Sequence, residues 1–322
     1  MITGSARNPA VAHLPTPLER ADRLGREIGL GDGRLWVKRD DCTGLALGGN
    51  KARKVEILVA DALATGCDTL VTGGGLQSNH ARITAAAAAR VGLRSVLVFN
   101  ADPPTAVEGN QLLDAILGAD RRYIGPLALD DLNDAISRIA EEIRGDGGRP
   151  YVIPLGGSSP LGASAYVRAA DEIVLDLGHE DVVVLTATAS GGTHAGLAAR
   201  LGHERVVGVD VGALADPEPI VRRLTIDVAA LVGLETGSHE PHLVRDQIGP
   251  GYGAPTDASR EAIRLAARLE GLILDPVYSA KAMAGLIGLG ARGLAAKAVV
   301  FLATGGAPAL FSSRYEGWLR GA

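Results

Sequence analysis

The chain is poor in cysteine, in aromatic residues and in long apolar runs. Cys42 and Cys67 are the only cysteines among 322 residues, too few for a disulfide framework or a cysteine-based zinc site. No uncharged apolar run reaches the roughly 18 residues of a membrane span, and residues 1–9 lack the apolar core of a signal peptide. No basic block with interleaved aromatics indicates nucleic acid. We therefore expect a cytoplasmic protein with neither a membrane nor a nucleic-acid partner.

Three widespread ligand motifs are missing as well. A Walker phosphate loop is absent, because no glycine–lysine pair is followed by serine or threonine. The run that begins Gly73-x-Gly75 continues to Ser78 instead of a third glycine, which makes a poor dinucleotide fingerprint. The histidines are dispersed, and no His-x-x-x-His pair with a third ligand occurs. We expect no metal site.

The chain has ample material for a core. Hydrophobic residues make up 47% of it, mean hydropathy is +0.16, and the net charge of -5 comes from scattered charges of both signs. A chain of 322 residues is long enough for one large domain or two domains of ordinary size.

Strands and helices alternate along most of the chain. Residues 69–72 predict a buried strand, which is followed by a glycine turn, an alanine-rich helix over 81–90 and a strand over 94–99. This βαβ unit predicts an α/β fold with parallel sheets covered by helices. Further helices are predicted at 51–64, 112–117, 132–143, 166–175, 195–201, 261–269 and 279–289, and further strands at 35–38, 122–124, 150–154, 181–186, 206–211, 272–274 and 298–302. Residues 212–250 are expected to be irregular.

A lysine follows a pair of glycines at the start of a predicted helix. Gly48-Gly49-Asn50-Lys51 comes after the charged segment that begins at Trp36. Since glycine adopts backbone conformations closed to other residues, the pair can set Lys51 at a helix start facing a cleft. The alternative is a glycine loop whose lysines are simply solvated.

A second glycine turn has the features of an anion site. Ser190-Gly191-Gly192-Thr193 follows a buried strand and opens a helix, where free N–H groups and the helix dipole favour a phosphate. The alternative is tight packing of the helix on the strand. Together with Lys51 and the polar run Ser78-Asn79-His80, this turn meets the needs of pyridoxal phosphate, namely a Schiff-base lysine and a phosphate cradle.

Five separated segments resemble one enzyme family. They are residues 36–54, 74–82, the Gly251-Tyr252-Gly253 triplet, residues 274–278 and residues 304–311. In this order, between Pro15 and Phe311, they resemble the pyridoxal-phosphate-dependent family of D-cysteine desulfhydrase and 1-aminocyclopropane-1-carboxylate (ACC) deaminase, with L-cysteate sulfo-lyase as a close relative. The resemblance implies a tryptophan-synthase-β-like fold (fold type II), with two open twisted sheets. It also implies a large cofactor-binding domain from residues 1–47 plus 160–322, and a small domain from residues 48–159.

The resemblance also implies roles for the motif residues. Lys51 would hold the cofactor as a Schiff base and act as the catalytic base, and Asn79 would bind the cofactor's 3′-oxygen. The phosphate would lie against residues 190–193 and Lys54. The pyridine nitrogen would face the hydroxyl of Ser279 or Thr304. The substrate side would be formed by Ser78, Asn79, His80, Tyr252 and Tyr278, with Ser78 and the two tyrosines catalytic. For the tyrosines the alternative is core packing, and for His80 it is a supporting or core position.

Three positions favour the desulfhydrase branch. ACC deaminases carry glutamine, glutamate and leucine where this chain has His80, Ser279 and Thr304. A neutral hydroxyl near the pyridine nitrogen suffices to eliminate a good leaving group, whereas opening a cyclopropane is harder. The expected reaction is β-elimination from D-cysteine to pyruvate, ammonia and hydrogen sulfide, a step in amino-acid catabolism. L-cysteate and ACC are the alternative substrates.

A different class of function stays open beside the lyase. In that alternative the chain is a catalytically idle relative that binds the cofactor or a nucleotide. The family resemblance also implies a homodimer.

Overall fold

The computed structural model describes residues 9–237, 240–290 and 294–320, which form two sheets covered by helices. Ten strands contribute: β1 Leu18–Arg20, β2 Leu35–Lys38, β3 Thr69–Gly74, β4 Arg94–Phe99, β5 Asp120–Tyr123, β6 Pro150–Val152, β7 Val182–Thr188, β8 Val206–Asp210, β9 His242–Val244 and β10 Ala298–Leu302. The larger sheet has the order β1-β2-β10-β7-β8-β9 and the smaller one β5-β4-β3-β6. Only β1 pairs antiparallel, so the predicted class of two mostly parallel sheets is confirmed.

The described part of the chain has twelve α-helices between and after these strands. They are α1 Asp22–Glu27, α2 Lys51–Ala64, α3 Asn79–Val91, α4 Asn110–Ile116, α5 Leu132–Gly145, α6 Pro160–Ala163, α7 Ala165–Leu177, α8 Gly192–Leu201, α9 Glu218–Val232, α10 Asp257–Glu270, α11 Ser279–Leu289 and α12 Ser313–Arg320. In the described part of the chain no helix is both long and apolar enough to cross a bilayer.

Each sheet is buried on both faces. One face of the larger sheet packs on α10 and α11 through a cluster that includes Leu185, Met283 and Phe301. Its other face packs on α7 and α8 around Tyr166. The smaller sheet is enclosed in the same way, with α2 and α3 on one side and α5 on the other. Burial on both faces explains why central strands such as β10 are continuous apolar runs, whereas the edge strands β1, β5 and β9 carry polar residues.

Two predictions about elements are wrong. Residues 212–250 contain the helix α9 and the short strand β9 instead of only irregular chain. The buried positions Val221, Leu224 and Val228 follow helical spacing, which flanking prolines and charges disguise. Residues 272–274 form no strand, although Leu272 and Leu274 are buried, because they lie between α10 and α11 without a partner strand.

The two sheets draw on separate stretches of the chain. The smaller sheet uses residues between Thr69 and Val152, and the larger sheet uses those before and after. The domain ranges, 1–47 plus 160–322 and 48–159, stay a prediction.

Candidate active site

A cleft lies at the carboxyl ends of strands from both sheets, where the helices α2, α3 and α8 begin. It measures about 420 Å³, including space open to solvent, and Lys51, Asn79, Tyr278 and Thr304 line it together with residues 189–193. A second space shares Lys51 and Tyr278 with the cleft and adds Ser78, His80 and Tyr252. Beyond the tyrosines lies a larger cavity of about 1010 Å³, likewise including space open to solvent. Ligands of open parallel sheets gather at such strand ends.

Lys51 is held at this cleft by the turn before it. The Thr43 hydroxyl accepts from the Gly49 N–H at 2.8 Å and donates to the Gly49 carbonyl at 2.9 Å. The Asn50 N–H donates to the Thr304 carbonyl at 3.0 Å. Gly48 and Gly49 have φ of +69° and +121°, which side chains rarely tolerate, so this turn needs its glycines. The first residue of α2 is therefore placed against the end of β10.

Burial makes the Lys51 amine less basic. Loss of water around it lowers its pKa from 10.5 to about 8, although the Asp275 carboxylate acts in the opposite direction. At pH 7 about one Lys51 in ten is then neutral, against about three in ten thousand for an ordinary lysine. The pKa of Lys54, one turn further along α2, is lowered well below its usual value by burial and by the Lys51 charge. Lys51 is thus poised as a nucleophile or base.

The start of α8 forms a polar cradle beside these lysines. The Ser158 Oγ lies 2.9 Å from the Ser190 Oγ and accepts from the Gly192 N–H at 3.2 Å. Among the described residues, the hydrogen bonds of the Lys54 Nζ are both long, at 3.4 Å to the Gly156 carbonyl and 3.5 Å to the Ser158 hydroxyl. A Cβ at Gly192 would lie 2.6 Å from the Ser158 Oγ and 3.0 Å from the Ser158 Cα, so a side chain there would push the 158 turn away. The long contacts of the Lys54 amine leave it free to contact an anion.

The two hydroxyls proposed for the pyridine nitrogen differ in their surroundings. Ser279 is buried, donates to the Asp275 Oδ1 at 2.6 Å and accepts from the Asp275 N–H at 2.7 Å. Thr304 lines the cleft, and within the described residues its buried Oγ1 has no hydrogen-bond partner. Only Thr304 thus has a hydroxyl ready for a ligand.

Asp275 builds the turn that carries Tyr278. Its buried carboxylate accepts the N–H groups of the three residues after Pro276, at 2.7–3.0 Å. Burial raises the pKa of Asp275 and the hydrogen bonds lower it, with a net rise. The turn sets the Tyr278 hydroxyl against that of Tyr252 in a hydrogen bond, with ring centroids 6.0 Å apart. Burial and the neighbouring tyrosine raise the pKa of Tyr278 well above 10, so its hydroxyl keeps its proton.

The polar trio at the start of α3 lines the space that also contains Lys51 and Ser190. Ser78 caps the helix by accepting the Ala81 N–H at 3.2 Å. The His80 Nε2 lies 2.9 Å from the Thr72 hydroxyl, whose own proton goes to the Ile153 carbonyl. His80 is therefore the donor in that contact and carries its proton on Nε2. Burial, with the charges of Lys51 and Lys54, holds the pKa of His80 well below 6.5.

The structure brings nearly all the sequence-predicted site residues to these connected spaces. The exception is Ser279, which does not line them. The sequence reasoning missed Ser158 and Asn50, whose Nδ2 donates to the Thr193 Oγ1 at 3.2 Å. The glycine–serine turn after β6, at residues 156–159, is a usable sequence signal for Ser158.

Comparison with known proteins gives consistent matches over the chain. Residues 10–305 match the family described as pyridoxal-phosphate dependent enzyme. D-cysteine desulfhydrases from Salmonella typhi and Salmonella schwarzengrund are each 45% identical to this chain over 318 residues, which cover 92% of this chain and 93% of the relative. A solved structure of an ACC deaminase homologue superposes with a TM-score of 0.87 at 36% identity, covering 97% of this chain and 94% of that chain.

More distant structures share the fold. The processed form of threonine deaminase isoform 2 from Solanum lycopersicum superposes with a TM-score of 0.67 at 18% identity, over 97% of this chain and 83% of that chain. At this identity the match shows the fold type alone.

Proposed function

Since this chain belongs to the pyridoxal-phosphate-dependent enzymes, in the family of D-cysteine desulfhydrase and ACC deaminase, we propose that it cleaves D-cysteine. With one water, D-cysteine is converted to pyruvate, ammonia and hydrogen sulfide. The observation that carries the proposal is Lys51, an amine of lowered pKa in a cleft that also contains an anion cradle and a free hydroxyl. The substrate follows from the names of the 45% identical relatives.

The residues of the cleft fit pyridoxal phosphate. The phosphate would take the N–H groups at the start of α8 with the Ser190 and Thr193 hydroxyls, and Lys54 would balance its charge. Gly192 supports this assignment, since a side chain there would fill the cradle. The unpartnered Thr304 hydroxyl would bind the pyridine nitrogen, and Asn79 the 3′-oxygen. Ser279 supports Asp275 in this assignment.

Lys51 performs the proton transfer at Cα. When bound, pyridoxal phosphate supplies an aldehyde for amines and a ring that accepts the electron pair left at Cα. Lys51 anchors it, and in neutral form its Nζ has the lone pair that removes the Cα proton. The low pKa matters for both roles, because an ordinary lysine would be almost entirely protonated at neutral pH.

The other side chains of the cleft bind and protonate the substrate. The first N–H groups of α3, with the Ser78 hydroxyl, would bind the substrate carboxylate at the positive end of the helix. Tyr252 and Tyr278 hold a proton between their hydroxyls, next to the space beyond the cleft, and would deliver it to the departing sulfur. His80 is neutral, so it adds no charge near the amine.

Two measurements test the proposal. The purified protein should turn yellow with pyridoxal phosphate, and Lys51→Ala should lose the absorbance of the lysine-bound cofactor. The 2-oxo acid product should then be measured from four substrates side by side: pyruvate from D-cysteine, L-cysteine and L-cysteate, and 2-oxobutanoate from ACC. D-cysteine should give the highest kcat/KM. A protein that stays colourless overturns the cofactor assignment, and a preference for another substrate overturns D-cysteine alone.

ACC deamination is the second candidate. The 36% identical structure of an ACC deaminase homologue favours it. Thr304 and the occupied Ser279 favour the desulfhydrase, because the group offered to the pyridine nitrogen is then the neutral Thr304 hydroxyl and not an acid. The cytoplasmic location expected from the sequence is tested by cell fractionation, and the homodimer expected from the family is tested by light scattering on the purified protein.

A further inference from the structure

Asn110, the first residue of α4, connects the turn before Lys51 with the amide of Asn79. It is fully buried, and its Nδ2 donates to the Asn79 Oδ1 at 3.0 Å and to the Gln77 carbonyl at 2.9 Å. Its Oδ1 accepts from the Arg82 Nε at 2.8 Å. We propose that Asn110 is a positioning residue that fixes the Asn79 amide with its N–H groups toward the cofactor.

The direction of both amides follows from Arg82. A guanidinium has donors and no acceptor, so Asn110 must present its oxygen to Arg82. Its Nδ2 then faces Asn79, which must in turn present Oδ1. The Nδ2 of Asn79 therefore lies on the other side of the amide, next to Gly306, where a Cβ would be only 2.9 Å away. Asn79 also lines the cleft on which Lys51 lies. Rotating either amide by 180° would set two donors or two acceptors against each other.

Arg82 is itself held in place. It is fully buried and donates to the carbonyls of Ala46 and Gly48, the latter at 3.0 Å. Burial lowers its pKa to about 10, which still leaves it charged at neutral pH. The same guanidinium therefore supports the turn that presents Lys51 and the amide chain that ends at Asn79.

The orientation matters because the two ends of an amide bind opposite partners. The 3′-oxygen of pyridoxal phosphate is an acceptor, so Asn79 binds it through Nδ2 and repels it through Oδ1. Asn110 thus selects the binding orientation before the cofactor arrives. This inference rests on the proposed function, in which Asn79 contacts that oxygen.

The test is a double-mutant cycle on cofactor affinity. Asn110→Asp keeps the shape and the acceptor for Arg82 but has no N–H for Asn79. We expect it to weaken binding of pyridoxal 5′-phosphate to the apoprotein by about 5- to 30-fold, measured by absorbance titration. In an Asn79→Ala background the same substitution should change the affinity by less than about twofold.

Two controls separate positioning from a general loss of structure. The control variant is Asn133→Asp on α5. The Asn133 Oδ1 accepts from the Leu155 N–H at 2.9 Å, and aspartate keeps that acceptor, so the affinity for pyridoxal 5′-phosphate should be unchanged. Binding of inorganic phosphate to the apoprotein should also stay unchanged in Asn110→Asp, since that ion needs only the cradle at α8. Circular dichroism shows whether each variant folds. If Asn110→Asp does not fold, Asn110→Ala replaces it in the double-mutant cycle with Asn79→Ala.

The outcomes are distinguishable. An unchanged affinity in the variant, or the same loss with and without Asn79, overturns the positioning role even though the wild type binds the cofactor. If the wild type itself captures no pyridoxal phosphate, the proposed function fails and the positioning role fails with it.

Discussion

Replacing Arg53 with methionine should lower the free energy of unfolding by about 3–5 kcal/mol, because it leaves a buried carboxylate without its cation. Arg53 is 2% exposed and Asp40 is 0% exposed. The Arg53 Nε contacts both Asp40 oxygens at 3.0 Å, and its other nitrogens reach the Glu172 carboxylate at 2.7 Å. Methionine preserves much of the packing volume and removes every donor.

Most of the lost unfolding free energy should come from Asp40, whose carboxylate stays buried without a cation. Glu172 is part-exposed and keeps the Lys38 ammonium at 2.9 Å. Asp40 keeps only the Thr16 hydroxyl at 2.9 Å and the Tyr166 hydroxyl at 2.7 Å, neither of which neutralises a charge. Adding Asp40→Asn to the Arg53→Met variant should therefore recover part of the lost stability, by about 1–2 kcal/mol.

Urea unfolding followed by far-UV circular dichroism measures these differences. The matched control is Arg223→Met on α9, where a 78% exposed guanidinium pairs with Asp227 at 2.9 Å. An exposed pair of this spacing contributes at most about 0.5 kcal/mol. A loss below about 1 kcal/mol for Arg53→Met, or a further loss on adding Asp40→Asn, would refute this account of the network.

The rate at which the apoprotein binds pyridoxal phosphate should rise with pH and reach half its maximum near pH 8, because only neutral Lys51 is a nucleophile. Stopped-flow absorbance measures this rate, and a rate that does not change between pH 6 and 9 would contradict the prediction. Thr304→Val should lower kcat about tenfold and leave the urea midpoint unchanged, because its hydroxyl has no partner among the described residues; unchanged kcat would count against Thr304. Burial raises the pKa of Asp114 to about 7, so the folded protein binds that proton more tightly than the unfolded chain, and stability is lost as pH rises from about 4 to 7. Since a tenfold change in proton affinity corresponds to about 1.4 kcal/mol, the rise from 3.8 to about 7 implies that Asp114→Asn raises the unfolding free energy by up to about 4 kcal/mol at pH 8. At pH 4 the substitution should leave the unfolding free energy nearly unchanged in urea titrations.

Local periodicity predicted most elements of the fold. The helix at 51–64 and the strand at 298–302 have the expected bounds, because each is a single apolar pattern ended by a glycine or a charge. The short strand β9 could not be predicted in this way. It has three residues at the sheet edge, none of them fully buried, and its pairing with β8 rather than its own pattern defines it.

The site shows the same division between local and long-range information. The residues of recognisable motifs, such as Lys51 and the 190–193 turn, were named from the sequence, and their roles stay predictions. The contacts of Ser158 with Ser190, of Arg53 with Glu172 and of Asn110 with Asn79 join positions 31 to 119 residues apart. No spacing rule in one sequence predicts such a contact, since the packing of whole elements creates it.

The start of α2 lies where the two sheets meet. The Asn50 N–H reaches the end of β10, and the Asn50 carbonyl accepts from the Tyr166 hydroxyl at 3.2 Å, both on the side of the larger sheet. The rest of α2 packs with α3 against the smaller sheet, around Val55 and Leu58. The Arg82–Asn110 chain, which bonds to Gly48 and to Asn79, therefore ties the turn before Lys51 to the wall of the cleft that Asn79 forms.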